Sequence, residues 1–298
     1  MSKVLTAVIP AGGHGTRFLP ASKSIPKEMF PIGEKPVIYH VVEEVVKAGI
    51  TNIIFVVAHH KHSIEDFFSP NEEFEDYLKL QGKKDKTKML VDISNMAEFT
   101  FVYSKPPYGN GAPIAAVEHL IKDEPFVLVW GDEFVINKGV PRVRQCIDAF
   151  ETYGKSVVSA FEIKEAERRQ LYGMAKLKSI SKTDDTVQEI LDIVEKPKPG
   201  KEPSVYATHG AYVLTPKIFE ALKHTKPDKK GELWLTDMLD YVQKKEGLIA
   251  KIIKDADYLD CGNPLFYLLS QIDYAIKKSD YSEEVFDYVK KLGACKID

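Results

Sequence analysis

The stretch VLTAVIPAGGHGTRFLPASKSIPKEMFP, residues 4–31, decides how the chain is read. Val4, Leu5, Ala7, Val8 and Ile9 make a short, nearly continuous apolar run, which suits a strand buried on both faces of a parallel sheet better than an alternating edge strand. Pro10 is expected to stop it. In Ala11-Gly12-Gly13-His14-Gly15-Thr16-Arg17 the glycines permit backbone conformations that other residues avoid, and without side chains they let N–H groups approach an anion closely. Arg17, Lys23 and Lys27 follow and add positive charge. Glycines alone would read as a plain strand-to-helix turn. Cations at fixed offsets behind them make a phosphate cradle the better reading.

Two familiar phosphate loops are excluded by spacing. A Walker A loop needs G-x-x-x-x-G-K-[ST], and no Gly-Lys-Ser/Thr occurs. The dinucleotide fingerprint would run Gly13, Gly15 and then Phe18, too bulky for the close packing its third glycine allows. The remaining sequence is that of an ordinary globular protein, 298 residues with 44% hydrophobic and 29% charged. A net charge of −3 gives no general reason to expect nucleic acid or an anionic membrane as partner, so positive charge must be local. No apolar run is long enough for a membrane span, and MSKVLTAVIPAGG lacks the features of a signal peptide, so a cytoplasmic location is expected. Cys146, Cys261 and Cys295 are far apart with no C-x-x-C, and read as reduced, mostly buried thiols.

Outward from the loop, residues 36–48 read as a helix with Pro at its start and Gly49 after its end. Residues 52–58 are a second buried strand, completing a βαβ unit with a parallel sheet. His59, His60 and His62 follow it. Adjacent imidazoles in a strand-end loop point in different directions, and no carboxylate or cysteine sits at ligand spacing, so a structural role is favoured over a zinc site. Residues 72–81 look helical, and 82–88 (GKKDKTK) read as a solvated loop. Residues 99–103 are a third strand, 104–111 a Pro/Gly loop and 112–121 a helix. The strand 126–130 then delivers Gly131-Asp132-Glu133 at its C-terminal end, where open α/β sheets bind ligands. A helix to about Tyr153 and a strand at 156–161 follow. The second half is strand-rich, at 174–178, 187–195 and 205–215, and closes with helices at 235–245, 264–278 and 283–292 and a strand at 249–254. The expected fold is α/β, a Rossmann-like mixed, mainly parallel sheet flanked by helices. With no repeat and no Pro/Ser/Gly linker, residues 1–298 read as a single domain, about 1–135 forming one half and about 136–298 the other.

G-x-G-T-R-x-L-P followed by P-K-E-M resembles the signature of sugar-phosphate nucleotidyltransferases. GHGTRFLPASKSIPKEMFPIGEKP is most similar to the bacterial and archaeal UTP–glucose-1-phosphate uridylyltransferases. The resemblance implies the nucleotide-diphospho-sugar transferase type of fold, with the strand-rich extension on the sugar side. It implies UTP and glucose 1-phosphate as substrates, Mg²⁺ as cofactor, and a homo-oligomer, dimer or tetramer. Arg17 and Lys27 would be catalytic, neutralising the triphosphate and its leaving pyrophosphate, with Arg17 able to bind bidentately. Ala11, Gly12, Gly13, Gly15, Thr16, Glu28, Ser104 and Gly109 would bind the nucleotide.

Asp132 and Asp260, the latter in Leu259-Asp260-Cys261-Gly262-Asn263, match the family's two metal-binding aspartates. Alone, an aspartate after a strand is as readily a turn former or helix cap. Val194-Glu195-Lys196-Pro197 matches the family's V-E-K-P. Glu195 would accept hydrogen bonds from glucose hydroxyls and Lys196 would hold the sugar phosphate, whereas by itself Glu-Lys-Pro would be an exposed strand end. Gly173 and Gly210 would leave room for the sugar ring. The pattern departs at Ser104, about where uridylyltransferases carry a base-reading glutamine, and at Trp130-Gly131-Asp132, usually L-P-D or L-G-D. The first departure puts the choice between uracil and thymine on backbone groups and on crowding by Pro107 or Tyr108. A glycosyltransferase would have no use for the G-x-G-T-R…K apparatus, and the retained Arg17, Lys27, Asp132 and Asp260 argue against a silent nucleotide-binding regulator.

Overall fold

The computed structural model describes residues 3–106 and 108–293. Pro107 and Cys295 lie outside the described residues. The first half contains strands β1 (Thr6–Ala11), β2 (Pro31–Ile32), β3 (Lys35–Pro36), β4 (Asn52–Val57), β5 (Glu98–Tyr103), β6 (Phe126–Val129) and β7 (Glu133–Asn137). Its helices are α1 (Val37–Lys47), α2 (His62–Phe68), α3 (Glu72–Leu80), α4 (Lys84–Ser94) and α5 (Ala112–Ile121). The second half adds β8 (Val157–Glu162), β9 (Gly173–Ser179), β10 (Val187–Glu195), β11 (Tyr206–Leu214), β12 (Leu248–Ile252) and β13 (Ala256–Asp260). Its helices are α6 (Arg142–Tyr153), α7 (Ala166–Arg169), α8 (Lys217–His224), α9 (Leu235–Glu246), α10 (Pro264–Lys278) and α11 (Ser282–Gly293).

One nine-stranded sheet runs through both halves in the order β5-β4-β1-β6-β11-β8-β12-β10-β9. It is mixed and mainly parallel: among the described residues β10 and β11 run against the other strands of the sheet. The continuous apolar runs are explained by burial on both faces. Ala7 and Ile9 face a core shared with α1 and α6, whereas Val8 faces one shared with α5, α8 and α9. Helix α1 buries Val37, Ile38, Val41, Val42 and Val45. Full burial of such a side chain stabilises by about 1.5–3 kcal/mol, which overrides the modest helix propensity of β-branched residues.

Several boundaries differ from expectation. Pro10 does not stop β1 but lies inside it, opposite Val56. Its N and C=O sides face β6, whose ladder with β1 is confined to Ala7 and Val8, so the missing N–H breaks no regular pairing, and the carbonyl still accepts from Gly131 N at 3.2 Å. The charged run 82–88 is not a loop throughout: from Lys84 it is the start of α4, where Lys88 pairs with Asp92 one turn on. Helices α2, α7 and α8 and the antiparallel pair β7–β13 are additional elements.

What the fold does for function follows from register. Ala11, Val57 and Tyr103 are aligned across β1, β4 and β5, so the loops after these strands leave the sheet side by side. The β7–β13 pair sets Asp260 opposite Glu133, directly after Asp132. Behind them Arg142, fully buried, donates to Glu44 at 2.9 and 3.2 Å and to Glu133 at 3.4 Å, clamping α1, β7 and α6 together. Breaking such a buried pair by removing one partner costs roughly 3–5 kcal/mol, because a charge is left without water or counter-charge.

Candidate active site

The glycine loop leaves β1 and turns at Gly15, whose φ of +64° is a left-handed conformation that glycine adopts freely. Ser22 Oγ donates to the Gly15 carbonyl at 2.7 Å and pins the turn. A Cβ at Gly12 would stand 3.3 Å from Ser104 Oγ, and one at Gly13 would stand 3.9 Å from Lys27 Nζ, so the bare loop passes between these side chains. A cavity of about 580 Å³ opens over it, lined by Gly12, Gly13, Lys27, Glu28, Ser104, Gly109 and Asp132 together with Tyr108 and Trp130. Gly109 has φ +102°, and a Cβ there would meet the Leu233 carbonyl at 2.3 Å. The 104–111 loop is thus held against the segment before α9, where Leu233 N donates to Tyr108 O at 2.7 Å. A groove of about 600 Å³ between β10 and α9 is similar in size, but of the expected site residues it contains only Glu195.

Asp132 and Asp260 converge. Cys261 N donates to the Asp132 carbonyl at 3.0 Å and Gly262 N to Asp260 Oδ1 at 2.8 Å. A Cβ at Gly262 would stand 2.8 Å from Asp132 Oδ2 and 3.3 Å from Asp260 Oδ1, so this glycine keeps open the space both carboxylates face. Lys27 Nζ pairs with Asp132 Oδ2. Arg17 is exposed and reaches the Gly262 carbonyl at 3.5 Å, tying the glycine loop to the Asp260 loop. Burial alone would raise the Asp132 carboxyl and lower the Lys27 ammonium, but their mutual attraction outweighs it, leaving Asp132 below and Lys27 above the usual values. Asp260 is pushed up, by burial first and by the carboxylates of Glu133 and Asp132 in addition. Among the described residues no group of three or more His, Cys, Asp or Glu could hold a metal ion. Two converging hard carboxylate oxygens beside a phosphate loop nonetheless fit Mg²⁺, which takes one or two protein carboxylates and completes its shell with water and substrate phosphate. The histidines near the site lie ring against ring: His59 on Tyr103 at 4.7 Å, and His60 on His14 of the glycine loop at 5.6 Å.

Around these residues lies a layer of buried partners, of which the sequence reading names only Glu28 as a site residue, for the nucleotide. Lys61 Nζ binds both oxygens of Glu28, at 2.7 and 2.9 Å, with each side chain only 2% exposed. Burial dominates both partners, pushing Glu28 up and Lys61 down. Glu133 accepts from Tyr258 Oη at 2.7 Å, lies 3.1 Å from His209 Nε2, and is pushed up to about 7 by burial against the pull of Arg142. Burial holds His209 down at about 4. Lys61 stands inside the histidine run and Glu133 follows Asp132, but nothing in the local pattern marks a lysine or glutamate at a strand end as buried.

In the second half, β9 and β10 pair Gly173 with Glu195. A Cβ at Gly173 would stand 3.0 Å from Glu195 Oε2 and 3.3 Å from Thr208 Oγ1, so the glycine makes room for these polar groups. Lys196 has φ +45°, donates its N–H to Tyr172 O at 3.1 Å, and keeps an exposed side chain 3.7 Å from Glu195. Gly210 differs from expectation. Its φ is +95°, and a Cβ would collide with Arg142 Nη1 at 2.1 Å and crowd Glu133 at 2.8 Å, so the room it leaves is filled by the buried arginine.

A glycine loop, flanking cations and paired aspartates thus gather at one edge of a mixed α/β sheet. The nucleotidyl transferase family matches residues 6–275, and the chain belongs to it. The UTP–glucose-1-phosphate uridylyltransferase 2 of Staphylococcus saprophyticus is 37% identical over 292 residues, 98% of this chain and 99% of that one. The uridylyltransferase of Staphylococcus epidermidis is 36% identical over the same length. In structure, a UDP-glucose pyrophosphorylase complexed with UDP-glucose is 34% identical with a TM-score of 0.81, covering 92% of this chain and 100% of that one. The UTP-bound enzyme of Acinetobacter baumannii is 29% identical with a TM-score of 0.84, covering 97% and 99%.

The Glu133–His209 pair carries a pH signature. Glu133 has its folded pKa raised from 4.5 to about 7, so its contribution to stability falls as pH rises through that window. His209 has its folded pKa lowered from 6.5 to about 4, so its contribution is lost as pH falls below 6.5. The two nearly cancel between pH 4.5 and 6.5. Relative to wild type, Glu133→Gln is therefore expected to gain stability as pH rises from 5 to 6.5 and His209→Gln to lose it, as read from urea midpoints along the series; parallel curves for both variants would contradict the pairing.

Proposed function

We propose that this protein is a UTP–glucose-1-phosphate uridylyltransferase, making UDP-glucose and pyrophosphate from UTP and glucose 1-phosphate. The observation that carries the reading is the gathering of Lys27, Asp132 and the bare glycine loop on one cavity, with Asp260 turned toward the same carboxylate. The relatives, which carry that activity in their names over nearly the whole length of this chain, support it. The transfer is an in-line attack by a sugar-phosphate oxygen on the α-phosphorus of UTP. Two anions must be brought together, so the protein's task is positioning and charge neutralisation. The N–H groups of Ala11 to Thr16 hold the nucleotide, with Ser104 and Gly109 on the base side; Glu28, buried with both oxygens on Lys61, supports the loop from beneath and does not touch the nucleotide. Lys27 and Arg17 neutralise the triphosphate and the departing pyrophosphate. Asp132 and Asp260 would hold Mg²⁺, which would supply positive charge against the phosphate oxygens. Glu195 takes the glucose hydroxyls and Lys196 the sugar phosphate, with Gly173 leaving them space. Gly210 serves the site indirectly, by admitting Arg142.

The chain works as one catalytic domain in the cytoplasm. Its relatives are named uridylyltransferases, and among the described residues no helix is long and apolar enough to cross a membrane. We read it as a homo-oligomer, dimer or tetramer. Helix α10 buries only Ser270 and α11 buries nothing, while Leu265, Leu268, Leu269, Phe286 and Leu292 stand exposed along them. Light scattering at micromolar concentration should give a mass of at least twice 33.6 kDa, and a monomer would refute this.

Assay of UTP, dTTP, CTP and GTP with glucose 1-phosphate, by pyrophosphate release, is the test of the substrate. UTP should be preferred. Ser104 is too short to read the base as a glutamine would, and backbone groups match the edge that uracil and thymine share. Tyr108, 56% exposed, lines the cavity but is not packed into a wall, so dTTP should be accepted with a discrimination of about 10–200-fold. Preference for CTP or GTP would overturn the substrate assignment. For the metal, Asp132→Asn and Asp260→Asn should each fold, lose most turnover and weaken Mn²⁺ binding as followed by electron paramagnetic resonance. Undiminished activity in excess EDTA would exclude the role.

A further inference from the structure

We infer that Lys61 is a positioning residue for the transfer: by holding the Glu28 carboxylate it keeps Lys27 available to the triphosphate. Lys61 follows the strand end of β4, its N–H donating to Ala58 O at 3.0 Å, and its ammonium crosses to Glu28 in the turn that also carries Lys27. Both oxygens of Glu28 are taken, at 2.7 and 2.9 Å, in a place where neither side chain meets solvent. Lys27 in turn faces Asp132. The four charges alternate: Lys61, Glu28, Lys27, Asp132. A carboxylate buried without a partner draws on the nearest cation. With Lys61 gone that cation is Lys27, already attracted by Glu28 as well as Asp132. Drawn from two sides by carboxylates, Lys27 would be held back from the triphosphate. Lys61 thus acts through Lys27 and touches no substrate.

The inference rests on the role of Lys27 given above, so Lys27→Ala is measured alongside. A merely structural lysine and a positioning one both lower stability when replaced, and they are separated by what Glu28 then does. Lys61→Met should lower kcat at least about tenfold while changing KM for glucose 1-phosphate less than about threefold. Adding Glu28→Gln removes the unpaired carboxylate and should restore most of the lost kcat. If Lys61→Met does not fold, the double variant alone carries the test: it lacks Lys61 yet should turn over well above Lys27→Ala. A double variant as slow as Lys27→Ala, or a Lys61→Met enzyme with unchanged kcat, overturns the inference. A Lys27→Ala enzyme as fast as wild type removes its foundation and that of the Lys27 role together, whereas a slow Lys27→Ala with a fast Lys61→Met refutes the Lys61 inference only.

Discussion

Charge burial is the constraint on which the structure depends. The strand ends must collect carboxylates and ammonium groups in a space open enough for two anionic substrates, yet each charge left without water or partner costs several kcal/mol. The fold meets this by alternation. On one side Lys61, Glu28, Lys27 and Asp132 follow one another with opposite signs. On the other, Arg142 separates Glu44 from Glu133, and Tyr258 and His209 complete the shell of Glu133. The site residues inherit their orientation from these partners, so their position is set by electrostatics as much as by backbone geometry.

Glycine serves this scheme by absence. At Gly262 the missing side chain leaves Asp132 and Asp260 facing a common space, and at Gly210 it admits the guanidinium that neutralises two buried carboxylates. The same residue type in the 12–15 loop lets the backbone pass between the Ser104 and Lys27 side chains. One property, no Cβ, thus serves a tight loop, a pair of aspartates and a buried ion pair.

The first half was largely legible in the sequence, because its signals are local. An unbroken apolar run, a glycine loop and offset cations specify strand, turn and charge within a few residues, and the register of β1, β4 and β5 then assembles the loops. Pro10 misled because proline is costly only where its N–H is needed, which depends on a neighbouring strand that local sequence does not reveal. The start of α4 was missed because a lysine-rich run looks solvated whether it is coil or an exposed helix. Lys61, Glu133 and Arg142 were not legible as site residues at all. Their importance lies in pairings across 33, 125 and 98 positions of chain, to Glu28, Tyr258 and Glu44, and a charged residue destined for burial looks in sequence like any surface residue.

The electrostatics also bear on whether the transfer uses the site's thiol. Cys261 lies between Asp260 and Gly262, almost fully buried, with its N–H engaged by Asp132. Burial raises its thiol far above the usual range, and the Asp260 and Asp132 carboxylates raise it further. A thiol in that setting stays protonated, and nucleophilic catalysis by cysteine requires the thiolate. The burial and negative charge of the Asp132–Asp260 corner therefore disqualify the cysteine inside it. At this corner the protein contributes charge and geometry, which is what direct attack of one phosphate on another requires.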